Sequence, residues 1–150
     1  MSVIAFCIFI IALDIMPTLH KTSILEDSKS RAYQISEYLI FSEGEPKNWN
    51  KFNVKALGLS SGDFYILDIN KINNLRNLCS TNYERVKEFL GQDYKTDIIM
   101  NMTYIDGSIL FSCTPKVKTR LRSESSISRA AVVDISGIKY IVKFNVGVII

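Results

Sequence analysis

Residues 138–150 read IKYIVKFNVGVII, and apolar side chains fall there on every second position. Ile138, Tyr140, Val142, Phe144, Val146, Val148 and Ile150 share one face of an extended chain. Lys139, Lys143 and Asn145 share the other. A period of two is the mark of a half-buried strand. A sheet with one apolar face must bury it against another layer. The rest of the chain therefore has to supply partner strands and a cover.

The partners lie just upstream. In Tyr94–Tyr104 the even positions Tyr94, Thr96, Ile98, Met100, Met102 and Tyr104 point one way. Asp106-Gly107 is a strong two-residue hairpin signal. Ile109 to Cys113 reads as the return strand, ended by Pro115. Ala130 to Asp134 reads as a further strand, joined to the last one by a Ser136-Gly137 turn. A short strand is also expected at Phe64 to Leu67, after the Ser61-Gly62 turn.

The cover is residues 21–42, KTSILEDSKSRAYQISEYLIFS. Leu25, Ala32, Ile35 and Leu39 recur at spacings of seven, three and four, which places them on one helical stripe. Gly44 and Pro46 should stop this helix. A loop at 44–53 holds Trp49, the one tryptophan. Asp68 can cap a second helix over 69–78. Thr81-Asn82-Tyr83-Glu84 fits a capping box opening a third helix, Tyr83 to Leu90, closed by Gly91. Ile72, Leu75, Cys79, Val86 and Leu90 form the buried side of that pair. The expected fold is α+β: a long N-terminal helix, a helical pair and an antiparallel sheet of about four strands.

Ahead of the cover lies VIAFCIFIIAL, residues 3–13, interrupted by Asp14 and followed by Pro17. A bilayer-crossing helix needs about 20 apolar residues. Three readings compete: a membrane or filament-core helix, a secretory signal peptide and a buried core helix. No basic residue precedes the run and no small-x-small site follows it, which weighs against the signal peptide. The first reading divides the chain into an anchor or filament-core segment, 1–20, and a globular head, 21–150.

The 150 residues carry a net charge of +3, too mild to mark a nucleic-acid binder. His20 is the one histidine, so His-based triads and multi-His metal sites are excluded. No catalytic cluster is visible, and no enzyme or cofactor is expected. Gly58-Leu59-Ser60-Ser61-Gly62 lacks a phosphate-cradling pattern. Asp63, Asp68 and Asp106 stand at turns, where aspartate is favoured for backbone reasons, and no EF-hand spacing occurs. Lys116, Lys118, Arg120 and Arg122 alternate. They could form a phosphate-gripping ridge, but no aromatic residues interleave with them as a single-strand platform requires. Asn101-Met102-Thr103 is the single Asn-x-Ser/Thr acceptor and falls on the more polar strand face.

Five segments, taken in order, resemble archaeal type IV pilin-like proteins with a class III signal peptide. They are the apolar start at 3–13, AYQISEYLIFSEGEPKNW at 32–49 and ALGLSSGDFYILDINKINNL at 56–75. CSTNYERVKEFLG at 79–91 and RAAVVDISGIKYIVKFNV at 129–146 complete the set. The short basic leader, its cleavage site and the Glu near the mature start of that family are not among these residues. The resemblance implies a structural or minor pilin of a surface filament, with no catalytic chemistry. It implies partners that are copies of the chain or other pilin-like subunits, met through Val3, Ile4, Phe6, Ile8, Phe9, Ile10, Ile11 and Leu13. Membrane lipid would surround this segment before assembly, and the head would lie outside the cell. The alternative is a membrane-anchored monomeric binding or sensor domain. Similar heads carry a cysteine ahead of the NYE-type helix, which makes Cys79 a candidate partner for Cys113. Cys7, inside the apolar run, acts as a small hydrophobe. Two free buried thiols at 79 and 113 remain the other possibility.

Overall fold

A computed structural model describes the backbone of residues 3–115 and 124–150, and the side chains of 21–115 and 124–150. Helix α1 runs Val3–Phe41 in one piece, so Pro17 does not end it. The single lost N–H bond is absorbed within a 39-residue element. Its expected stripe holds: Ala32, Ile35 and Leu39 are buried and Leu25 is half-buried, joined by Ile40. Among the described residues no helix is long and apolar enough to cross a membrane.

Strand β1 (Ile66–Asp68) leads directly into α2 (Ile69–Thr81). Asp68 caps α2 as expected, its carboxylate accepting from Asn70 N at 2.7 Å. Helix α3 spans Tyr83–Phe89, but its cap is Asn82 rather than Thr81. Asn82 Oδ1 accepts from Arg85 N. Thr81 is spent inside α2, where its hydroxyl donates to Asn77 O at 2.7 Å. A Thr-x-x-Glu pattern loses to an adjacent Asn that can cap equally well.

The sheet departs from the expected four antiparallel strands. Strands β2 (Asp97–Tyr104), β3 (Ile109–Cys113), β4 (Glu124–Ile135) and β5 (Ile138–Ile149) join β1 in a five-stranded sheet, ordered β1-β4-β5-β2-β3. Strand β1 pairs with β4 in parallel, Ile66 to Val132, so the sheet is mixed and the head is not a plain pilin-like one. Three residues with no alternation carry too little pattern to announce a parallel edge. Strand β4 is also longer than 130–134; residues 124–129, ESSISR, show no continuous apolar face that would announce the extension. The expected alternation of the last strand is real at its centre: Val142, Phe144, Val146 and Val148 are buried. Its first apolar positions, Ile138 and Tyr140, are not.

Helix α1 covers β4 and β5, as the apolar sheet face demands. Ser125 meets the Leu25 carbonyl, and Arg129 Nε donates to Ser36 Oγ at 2.9 Å. Arg129 also lies over the Tyr33 ring at 4.3 Å. These contacts advance together along both elements, so α1 runs parallel to β4. The β2–β3 and β4–β5 turns therefore share the pole towards which the C-terminal end of α1 points.

Candidate functional site

The first site built by the tertiary fold is a clasp at the end of β3. Cys79 in α2 and Cys113 in β3 form a disulfide with Cα atoms 5.8 Å apart. Arg76, one turn earlier in α2, donates to the Leu110 carbonyl of the same strand. Among the described residues, strand β2 has no strand partner on that side beyond Cys113. Tyr83 takes the vacant place: its hydroxyl donates to Ile98 O at 2.9 Å and accepts from Ile98 N at 2.8 Å. Burial pushes the Tyr83 phenol up to about 12. Lys87, also buried, pairs with Asp97 at 3.4 Å and Glu84 at 3.3 Å, tying α3 to the start of β2.

At the opposite edge, β1 is covered by its own preceding loop. Ser61 N donates to Ile66 O at 2.9 Å and Asp68 N to Leu59 O at 2.8 Å. The β1 edge is thus covered within the chain, which disfavours strand addition there. Lys71 secures the loop, donating to Ser60 O at 2.6 Å and Glu43 O at 2.8 Å. Desolvation lowers its pKa from the ordinary lysine value, with Asp68 opposing.

Asn101 sits on the sheet face turned away from α1. In register, Ser128, Asn145, Asn101 and Ser112 form one row across four strands. Ser112 Oγ donates to Asn101 Oδ1 at 2.8 Å. Thr103, two residues on, shares this face. The acceptor pair is therefore presented on the outer face, though Asn101 itself is half-buried among its neighbours.

A cleft of about 510 Å³ opens at the pole of the two hairpin turns. Tyr104 and Tyr140 line it, their rings 5.8 Å apart and edge-on at 74°. Asp106, Ser108 and Lys139 supply its polar groups. Asp106 Oδ1 accepts from Ser108 N at 2.8 Å and Ser108 Oγ at 2.6 Å. These bonds, the hydroxyl first, hold the Asp106 carboxyl below the usual carboxylate range. Around the cleft, Ile105, Ile109, Ile138 and Ile141 are 79%, 71%, 59% and 55% exposed.

No sequence signal pointed to this cleft. Its two tyrosines are far apart in the chain and meet only because Tyr104 pairs with Val142. Among the described residues no group of His, Cys, Asp or Glu could hold a metal ion. The side chains of Val3, Ile4, Phe6, Ile8, Phe9, Ile10, Ile11 and Leu13, with those of Cys7, Asp14 and His20, lie outside the described residues. So does the basic run at 116–122.

No family model matches the chain, and no curated protein or solved structure shows a significant match to it.

Proposed function

We propose that this chain is a non-catalytic surface protein, tethered by its N-terminal helix, that serves as a structural or minor subunit of a type IV pilus-like filament. The observation that carries this reading is the continuity of α1. One helix, Val3–Phe41, joins the apolar run at 3–13 to the half that packs on the sheet. At about 1.5 Å per residue its first 18 residues reach roughly 27 Å ahead of Lys21. Apolar helices can bundle with one another, each supplying the others' apolar surroundings. The covered β1 edge favours helix packing over strand addition there as a route to assembly. In this reading the partners are copies of the chain or related subunits, lipid surrounds 3–13 before assembly, and the head is extracellular. The reading takes its filament class from the resemblance of the sequence segments to archaeal type IV pilin-like proteins.

A second reading, a membrane-anchored monomeric binding domain, draws on the exposed cleft at the hairpin pole. Electron microscopy of material purified from cells separates the two. Helical filaments containing this chain are expected; membrane-bound monomers alone would overturn the filament reading.

A further inference from the structure

We infer that Asn101 carries an N-linked oligosaccharide, and that this glycan covers the outer face of the sheet. The inference rests on the extracellular head of the proposed function, but it does not depend on assembly into a filament.

The acceptor pattern Asn101-Met102-Thr103 needs its asparagine and its threonine to lie in solvent together. On a strand, residues two apart share a face and the one between them points the other way. Strand β2 uses that period in the sense the modification requires. Met100 and Met102 are fully buried in the core, so Asn101 and Thr103 are turned outward. A slip of one residue would have buried the acceptor and exposed the methionines. The pairing of β2 with β5 runs unbroken from Asp97–Ile149 to Tyr104–Val142, which pins the register.

The outer face has room for a bulky group. Helix α1 meets the sheet at Ser125 and Arg129, and α2 is joined to it at Cys113. In register these three lie with Met100 and Met102, opposite Asn101. Around Asn101 the side chains are small: Asn145 on β5, Ser112 on β3, and Ser126, Ser128 and Ala130 on β4. All but Asn145 are exposed. Ser112 Oγ donates to Asn101 Oδ1 at 2.8 Å, which orients the amide and leaves Nδ2 for the sugar. Substitution at Nδ2 keeps the carbonyl oxygen, so this bond survives the modification.

The donor is an oligosaccharide carried on a polyprenyl phosphate or pyrophosphate. The bond from sugar C1 to the phosphate oxygen breaks, and the lipid phosphate leaves with the electron pair. Asn101 Nδ2 bonds to C1 and gives up one proton; nothing is oxidised or reduced. Asn101 is half-buried on an interior strand, so transfer precedes the pairing of β2 with its neighbours. After folding, the glycan stands in the middle of the outer face. A bulky, hydrated group there keeps this face from packing on another subunit and leaves assembly to the α1 side.

The test is mass spectrometry on the same native material used for electron microscopy. Trypsin cleavage after Lys95 and Lys116 releases residues 96–116, and that peptide should carry a saccharide mass increment at Asn101. Asn101→Gln and Thr103→Ala should each lose the increment completely. Thr103→Ser should keep it, because serine preserves the acceptor pattern. Retention of the Cys79–Cys113 link in each variant reports that the head still folds. A bare peptide 96–116 from native protein, or an increment that survives Asn101→Gln, would overturn the inference. Filaments built from unmodified chains would overturn it while leaving the filament reading intact. A glycosylated chain found only as membrane-bound monomers would uphold it and overturn the filament reading instead.

Discussion

Trp49 shows how single residues hold the loop region together. Its indole nitrogen donates to Gly58 O at 2.8 Å, and its ring lies against Gly44. A Cβ on Gly44 would fall 2.5 Å from the Trp49 ring, and one on Gly58 would fall 2.3 Å from Gly44 N. Gly44 also has φ +79°, a conformation that favours glycine. Gly58 has no such backbone demand, so its constraint is purely steric. Gly58→Ala is expected to lower stability by about 2–3 kcal/mol through overpacking against backbone. Urea unfolding followed by Trp49 fluorescence measures it; an unchanged midpoint would contradict the close approach. The sequence placed Trp49 correctly in a loop, yet its complete burial depends on two glycines brought together by folding.

At the scale of elements, the join between the helical pair and the sheet rests on two kinds of tie. Tyr83 supplies both hydrogen bonds that a longer β3 would have given Ile98. Tyr83→Phe leaves a buried N–H and C=O without that partner and is expected to cost about 1–3 kcal/mol. The pH dependence has a definite sign. The folded phenol titrates at about 12, above its unfolded value of about 10. Its contribution is therefore fully present below pH 10 and is lost as pH rises towards 12. Unfolding midpoints taken between pH 9 and 12 should fall more steeply for the parent than for Tyr83→Phe. The disulfide is the second tie. It closes a 34-residue separation, and in the chain-entropy model such a link contributes about 3–4 kcal/mol. Replacing both Cys79 and Cys113 with serine should lower the melting temperature without changing the far-ultraviolet circular dichroism. Equal melting of the two forms under non-reducing conditions would refute the link.

Across the whole molecule, the part of α1 from Lys21 onward carries its own buried stripe. Among its described side chains the buried positions run from Ser28 through Ala32, Ile35, Ser36, Leu39 and Ile40. Removing residues 1–20 is thus expected to leave a folded monomer with its disulfide intact, and to abolish association. Analytical ultracentrifugation with circular dichroism reads both outcomes; a truncated chain that unfolds would place 1–20 in the core of the head.

What the sequence determined by itself is local. Alternation over the last strand, the Asp106-Gly107 hairpin, the Asp68 cap and the buried stripe of α1 are all properties of neighbouring residues. Their physics is complete within a few turns or a strand's length, so they could be read directly. The Asn82 cap marks the limit of that reading, because local signals there compete with near-equal alternatives. Only the tertiary structure decided the rest. The parallel pairing of β1 with β4 needs contact between residues 66 and 132. The Tyr83 clasp needs β3 to stop at Cys113, and the tyrosine cleft needs β2 and β5 in one register. The disulfide shows both contributions: Cys79 and Cys113 stand at element ends, with the resemblance pointing to position 79, and the docking of α2 on β3 brought them together. Such features join distant segments, so their energy depends on the global packing rather than on any stretch of chain.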